Sequence, residues 1–271
     1  MLTYKVSSEN FRRTVRLRAF ALHFVVSALL AAIIAFLVFF IWFPANLNEL
    51  AGGHHLFWTI VGVDVICGPL LTLLLFKPEK TRLALATDLT LIAVIQIAAF
   101  SYGLYSLAYA RPLAFVFEVD RFRLVTYADI PATDIGYLPD WAKPWRLHSP
   151  RTLGLRPPAT PSERLNSFND ALQGLEISQR PQRWQELSLN AREIRERSQT
   201  LPNLLSHRGA QKDVINGAVA DAMANREKDE SMDSSTLIWF PLVSRSSLEW
   251  IVILDPSTLR IRAYAKVDGF I

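Results

Sequence analysis

Two aspartates stand inside long apolar segments, where an acidic side chain needs a physical explanation. Asp64 and Asp88 each lie within a run of apolar residues long enough to cross a bilayer. A carboxylate at the centre of a membrane helix costs about 2.5–3.5 kcal/mol on insertion scales, so it normally faces the interior of a helix bundle and has a partner there. At 1.5 Å per residue the two carboxylates would differ in depth by roughly 10 Å. That separation is too large for a shared proton and argues against a two-aspartate protease.

Small and polar residues follow Asp64 along one helical face. Gly68 and Thr72 come at intervals of four residues, which places them above one another on a helix. Pro69 lacks a backbone donor and predicts a kink beside Gly68. Stripes of this kind hold membrane helices together, either within one bundle or against a helix of another protein. Both readings stay open from the sequence.

A similar stripe follows Asp88 in the third apolar segment, where Gln96 and Gly103 share its face. In the first apolar segment His23 lies at a depth close to that of Asp88, near the basic end. We therefore predict that His23 and Asp88 form a pair within the bundle. If the stripes instead form a groove for a partner helix, its candidate residues are Asp64, Gly68, Pro69, Thr72, Asp88, Gln96 and Gly103.

Motifs for catalysis or for cofactors are not found in the sequence. It has no glycine-rich phosphate loop, no Gly-x-Ser-x-Gly elbow and no His-Glu-x-x-His pair. His54-His55 has no neighbouring cysteines or spaced carboxylates, so a metal site there is not expected. We predict a protein that is not an enzyme and that carries neither a cofactor nor a metal.

The elements that position these residues are three apolar segments, at 19–43, 56–76 and 83–109, each longer than the roughly 20 residues that a membrane helix needs. The cations outside the last 161 residues are Lys5, Arg12, Arg13, Arg16, Arg18, Lys77, Lys80 and Arg82. Their clustering before the first segment and between the second and third predicts a cytoplasmic N-terminus. The net charge of +4 is therefore a topology signal and gives no support for nucleic-acid binding. We predict a basic cytoplasmic segment 1–18, a membrane bundle 19–110 and a periplasmic domain 111–271 in a bacterial inner membrane.

The last 161 residues predict an α+β domain. A β-hairpin is expected over 115–127, with its turn near Asp120, and an antiparallel meander over 236–265. Pro241 favours an edge position for the first strand of that meander. Between these elements the sequence predicts an irregular stretch at 130–161 and helices that begin near Thr160, Pro181 and Gln211.

Read together, these segments resemble the TfpX/TfpZ family of type IV pilin accessory proteins. The resemblance covers nearly the whole chain and is densest from Trp42 to Phe122. It is carried by Trp42-Phe43-Pro44, Gly52-Gly53, the run from Asp64 through Gly68-Pro69 to Thr72, Lys77-Pro78-Glu79-Lys80, Asp88-Leu89, Gln96, Tyr102-Gly103-Leu104-Tyr105, Ala110-Arg111-Pro112, Phe117-Glu118-Val119-Asp120-Arg121-Phe122, Ala171-Leu172-Gln173-Gly174 and Trp250-Ile251-Val252-Ile253-Leu254-Asp255.

The resemblance implies an inner-membrane protein that helps pilin reach or keep the state used for pilus assembly. A membrane-held pilin has a long apolar helix and a globular head, and a protein of the same topology could bind both. We expect the intramembrane stripes to receive the helix, with Arg111 and Pro112 orienting the domain at the membrane exit. Asp88 could then meet the amino terminus of a pilin. The alternative from another class is a periplasmic ligand sensor, which would need a separate membrane partner because the cytoplasmic segments are short.

Overall fold

The computed structural model describes residues 2–43, 47–77 and 79–271, without the side chains of 2–10, 12, 48 and 53–56. Two compact units divide the chain. The first consists of Met1–Pro44 and Gly52–Ala108, and the second of Ala45–Ala51 and Tyr109–Ile271. The expected fold class, apolar helices followed by an α+β domain, is confirmed.

The first unit is a set of long apolar helices. Its elements are α1 (Leu2–Phe36), a π-helical continuation (Leu37–Trp42), α2 (Gly53–Val61), a π-helical segment (Gly62–Cys67), α3 (Gly68–Leu75) and α4 (Arg82–Ala110). Among the described residues, three stretches are long and apolar enough to cross a membrane: Arg13–Trp42, Phe57–Leu75 and Arg82–Ala110. They coincide closely with the three predicted spans, so the chain is a membrane protein with a separate C-terminal domain.

The second unit is built on one mixed sheet. Its strands are β1 (Pro112–Glu118), β2 (Arg121–Thr126), β3 (Arg151–Leu155), β4 (Trp184–Glu186), β5 (Gln199–Thr200), β6 (Ile238–Val243), β7 (Trp250–Leu254) and β8 (Ile261–Ala265). The order across the sheet is β4-β3-β1-β2-β6-β7-β8, and β5 pairs with one end of β6. Its helices are α5 (Pro161–Leu172), α6 (Ala191–Arg197), α7 (Leu201–His207) and α8 (Lys212–Ala224).

The hairpin and the terminal meander form as the sequence predicts. β1 and β2 pair antiparallel, and Val119 makes the tight turn between them with a positive φ of 59°. β7 lies between β6 and β8 and alternates between two buried clusters. Trp250 and Val252 belong to one cluster and Ile251 and Ile253 to the other, so this strand is covered on both faces.

Pro241 was expected to place β6 at an edge, and that expectation is wrong. On one side β6 pairs along its length with β7. On the other side β5 pairs with Ile238 and Trp239, whereas β2 pairs with Leu242 and Val243. Pro241 lies in the gap between these two partners, where a missing backbone donor breaks no ladder bond on that side.

The irregular middle of the domain also differs from the prediction. The stretch at 130–161 contains short 3₁₀ turns and the strand β3, which pairs parallel with β1. The helix expected to begin near Pro181 does not form there. Instead Pro181–Arg183 is a 3₁₀ turn, Trp184–Glu186 pairs with β3, and the helix begins at Ala191. The helices expected from Thr160 and from Gln211 are present as α5 and α8.

A short helical turn, Leu47–Leu50, completes the core of the second unit although it precedes the second span in the chain. Leu47 and Leu50 are almost fully buried and belong to the same cluster as Phe115, Phe240 and Trp250. Ser244 donates a 2.7 Å hydrogen bond from its hydroxyl to the Leu50 carbonyl. Part of the connection between the first and second predicted spans therefore belongs structurally to the C-terminal domain.

Candidate functional site

The second span contains a π-helical segment that ends immediately before Gly68 and Pro69. Asp64 lies in the π-helical segment Gly62–Cys67, where the i→i+5 pattern would make position 69 the donor to its carbonyl. Because proline has no N–H, Pro69 cannot be that donor. The Gln96 side chain supplies a replacement from α4, since its Nε2 donates to the Asp64 carbonyl at 3.2 Å.

Gly68 makes this contact between helices possible. A Cβ atom at position 68 would lie 1.7 Å from Gln96 Nε2, so a larger residue would displace the amide. Gly103 has a similar role farther along α4, where a Cβ would lie 2.5 Å from Ile60 Cγ1. Both glycines, and Gln96, are thus contacts within the bundle. Their expected part in a partner-binding groove stays a prediction.

The expected pair between His23 and Asp88 is replaced by two other contacts. His23 Nδ1 lies 2.7 Å from Thr72 Oγ1, which links α1 to α3. Asp88 forms an ion pair with Lys80, from the connection that precedes α4. Lys80 folds back because it also donates to the Leu75 carbonyl at the end of α3, at 3.4 Å. The prediction compared only the depths of residues within the spans. It therefore could not show that Lys80, which lies in the connection before α4, would pair with Asp88.

Asp64 differs from Asp88 because its carboxylate has no such partner. Both carboxylate oxygens are buried, and neither has a hydrogen-bond partner among the residues that the structure describes. An acidic group in this position raises the energy of the bundle unless something satisfies it. Of the predicted intramembrane residues, Asp64 is the one whose polar atoms the bundle leaves unsatisfied.

Asp64 lies on the wall of an apolar cleft formed by the three candidate spans. The cleft has a volume of about 210 Å³. Side chains from all three spans line it, among them His23, Val26, Phe57, Asp64, Gln96 and Phe100. A second cleft of about 190 Å³, between the second and third spans, also includes Asp64 and Gly103 in its lining. This geometry offers an apolar surface with one unsatisfied acidic group among the residues that the structure describes.

Arg111 and Pro112 lie in the second unit, where the chain enters β1. Arg111 is fully buried, and its guanidinium donates to the carbonyls of Lys143 (2.8 Å) and Arg146 and lies 3.0 Å from His148 Nε2. Burial lowers the pKa of Arg111 to about 10. These bonds fasten the start of β1, at Pro112, to the proline-rich stretch. Their expected role in orienting the domain stays a prediction.

Sequence reasoning missed a buried charged network in the second unit. Glu230 accepts bonds from Arg260 Nε at 2.6 Å and from Thr258 Oγ1 at 3.1 Å. Arg262, with no exposed side-chain surface, lies 3.4 Å from Asp255 and donates to the Ala222 carbonyl. Glu230 stands in a polar linker of the sequence, where neither spacing nor hydropathy signals burial.

The three candidate spans, the cleft between them and the separate α+β domain define a membrane protein with a C-terminal domain outside the spans. A family profile described as fimbrial assembly protein FimB matches residues 11–52, which include the whole of the first candidate span, Arg13–Trp42, and the turn Leu47–Leu50. The chain is 35% identical to the fimbrial assembly protein of serogroup I from Dichelobacter nodosus over 252 residues, covering 92% of this chain and 94% of that relative.

Two further relatives come from the same organism. The fimbrial assembly protein of serogroup E1 is likewise 35% identical over 92% of this chain and 94% of its own length. That of serogroups C1 and C2 is 44% identical over 109 residues, covering 40% of this chain and 83% of the relative. No solved structure is significantly similar to this chain. The chain belongs to the fimbrial assembly protein family.

Proposed function

We propose that this protein is an inner-membrane accessory protein that binds type IV pilin subunits and supports their stability or their assembly into pili. It acts by binding and is not an enzyme. The N-terminus is cytoplasmic and the α+β domain periplasmic, because the cations outside that domain cluster at one side of the predicted spans. The full-length similarity to fimbrial assembly proteins supports a role in pilus assembly.

The observation that carries the proposal of pilin binding is the unsatisfied Asp64 carboxylate on the wall of an apolar cleft. An apolar helix fits such a cleft, and a hydrogen-bond donor or cation on that helix would satisfy the carboxylate. Asp88 is the weaker candidate for this role because Lys80 already pairs with it. A second contact, between the periplasmic domain and the pilin head, would add avidity without any new chemistry, since the two contacts are linked by one chain.

The first test is deletion of the gene, with total pilin measured by immunoblot and surface pili measured after shearing. Loss of both pilin and pili would indicate protection of the subunit, whereas normal pilin with absent pili would indicate delivery or assembly. If neither changes, with major and minor pilins all measured, the proposed function is wrong.

The second test separates Asp64 from the rest of the bundle. Asp64→Leu should weaken recovery of pilin by affinity pulldown about 3- to 20-fold, the equivalent of one interhelical hydrogen bond of about 0.6–1.7 kcal/mol. It should not destabilise the bundle, because the side chain has no partner there among the described residues. Asp88→Asn is the matched control and should leave recovery unchanged. Equal recovery with Asp64→Leu and with the parent protein would exclude Asp64 as a contact.

A further inference from the structure

Helix α5 packs on its domain with its polar side, which is the reverse of an ordinary amphipathic surface helix. Leu165, Phe168 and Leu172 recur at i, i+3 and i+7 and form one apolar stripe. Their exposed fractions are 60%, 62% and 73%, so this stripe faces away from the domain. We call these three side chains the α5 stripe.

The opposite side of α5 is fixed by three arginines of the domain. The Glu163 carboxylate accepts hydrogen bonds from both guanidinium Nη atoms of Arg156, at 2.8 and 3.0 Å. The Asp170 carboxylate accepts one from Arg180 at 2.6 Å. These are charge-assisted bonds of defined direction, and they set the rotation of the helix about its axis.

Two further bonds strengthen the same attachment. Arg183, which is 5% exposed, donates to the Ser167 hydroxyl at 3.2 Å. Thr160 caps the helix by accepting the Glu163 amide at 3.1 Å. The Arg156 guanidinium and the Ala159 amide hold the pKa of Glu163 down, at about 2. The domain therefore uses a dedicated set of polar contacts to direct an apolar stripe outward.

The surroundings of the stripe fit a protein better than a lipid surface. Helices that lie on anionic membranes carry many Lys and Arg residues beside their apolar face. Besides the stripe, the exposed residues of α5 and of the turn after it are Pro161, Ser162, Arg164, Asn166, Asn169, Ala171, Gln173 and Gly174, which include a single cation. An exposed aromatic side chain in surroundings with few charged groups is typical of the centre of a protein interface.

The size of the stripe also restricts its occupant. Stable protein interfaces bury roughly 1,200–2,000 Å² of surface. Two copies of this chain that paired through the stripe would bury only three such side chains from each copy, which is a far smaller area. A contact this small is effective when a second contact holds the same partner nearby. The pilin of the proposed function would be held in this way through its membrane helix.

We propose that the α5 stripe binds the globular head of a pilin subunit, inserting Leu165, Phe168 and Leu172 into an apolar groove of that head. The binding mode is that of a helix in a groove, in which residues at i, i+3 and i+7 are the anchors. The inference rests on the proposed function, because it names the second contact with the same partner.

The test is site-specific photo-crosslinking in cells that make the full-length protein and its pilins. Benzoylphenylalanine replaces Phe168 in one strain and Leu189 in another, the latter being 70% exposed in the same domain but outside α5. A third strain carries the probe at Val26, in the intramembrane cleft. Adducts are identified by immunoblot for pilin. We expect about tenfold more pilin adduct from position 168 than from position 189.

A matched pair of substitutions gives an independent readout. Phe168→Ser should lower recovery of pilin by affinity pulldown about tenfold, and Leu189→Ser should leave it unchanged. Each replaced side chain is mostly exposed, so folding should be preserved.

The outcomes separate this inference from the proposed function. A pilin adduct at position 26 without one at 168 would overturn the α5 inference and leave the proposed function intact. Absence of pilin adducts at both positions would overturn both. An adduct from position 168 to phospholipid would assign the stripe to the membrane surface, and an adduct to a second copy would assign it to self-association; either result overturns the inference.

Discussion

Substitution of Gly68 by alanine tests whether the second and third spans are joined as the structure describes. The new Cβ would lie 1.7 Å from Gln96 Nε2 and 2.4 Å from Gln96 Cδ, so the amide must move away. When it moves, the Asp64 carbonyl loses the donor that compensates for Pro69. An interhelical hydrogen bond in a membrane is worth about 0.6–1.7 kcal/mol, and we expect Gly68→Ala to destabilise the bundle by that amount.

Gly62→Ala is the matched control, because a Cβ at position 62 meets nothing within 4 Å. Both substitutions change helix propensity in the same direction, so their difference isolates the contact with Gln96. The free energy of unfolding would be measured in detergent micelles by denaturant titration. Tryptophan fluorescence is a suitable signal because Trp42 and Trp58 lie in the first unit.

A double-mutant cycle with Gln96→Ala completes the test. Gln96→Ala alone removes the same bond, so it should cost a similar free energy of unfolding. In that background Gly68→Ala should cost almost nothing further, because the amide with which it collides is gone. If Gly68→Ala and Gly62→Ala have equal effects, or if the cost of Gly68→Ala persists undiminished in the Gln96→Ala protein, the described contact is not the one that holds these helices.

Two other substitutions test the packing of the bundle and the charged network of the domain. Gly103→Ala would bring a Cβ to 2.5 Å from Ile60 Cγ1 and should destabilise the bundle by about 1–3 kcal/mol, a loss that Ile60→Ala should partly reverse in the same unfolding assay. The pKa of Glu230 is lowered from 4.5 to about 2, mainly by the Arg260 guanidinium. Because the folded pKa is below the unfolded one, this stabilisation is complete above pH 4.5 and is lost as the pH falls towards 2, with an upper limit of about 3 kcal/mol. Denaturant titrations at pH 3 and pH 6 should therefore show a smaller pH effect for Glu230→Gln than for the parent protein, and equal effects would contradict the assignment.

The sequence correctly predicted those helices and strands that are determined by residues close together in the chain. Apolar runs of sufficient length predicted the membrane helices, and the Thr160–Glu163 spacing predicted the start of α5, where the cap is present. The continuous apolar run Trp250-Ile251-Val252-Ile253 is typical of a strand covered on both faces, as β7 is. In each of these cases the residues concerned are close in the chain.

The errors arose where distant residues decide the outcome. Trp184 has the spacing of a helix with Leu187, yet its backbone pairs with β3, which the proline-rich stretch concealed. The periodicity of α5 was predicted, but periodicity does not tell which face lies inward. In the structure the polar face of α5 lies inward, because Arg156, Arg180 and Arg183 of the domain bind its side chains. The pairing of Asp88 with Lys80 likewise depends on a loop whose path no spacing rule describes.

The turn Leu47–Leu50 has a consequence for how this domain can be produced and how it matures. A fragment that starts after the third span would lack Leu47 and Leu50 and would leave an open apolar socket beside Phe115, Phe240 and Trp250. Such a fragment would need the missing peptide added back, or fused at an end, to be soluble. During biosynthesis the turn is translated more than 60 residues before β1. The domain must therefore take up a segment that was synthesised before the second and third candidate spans, so its core cannot be completed from residues 111–271 alone.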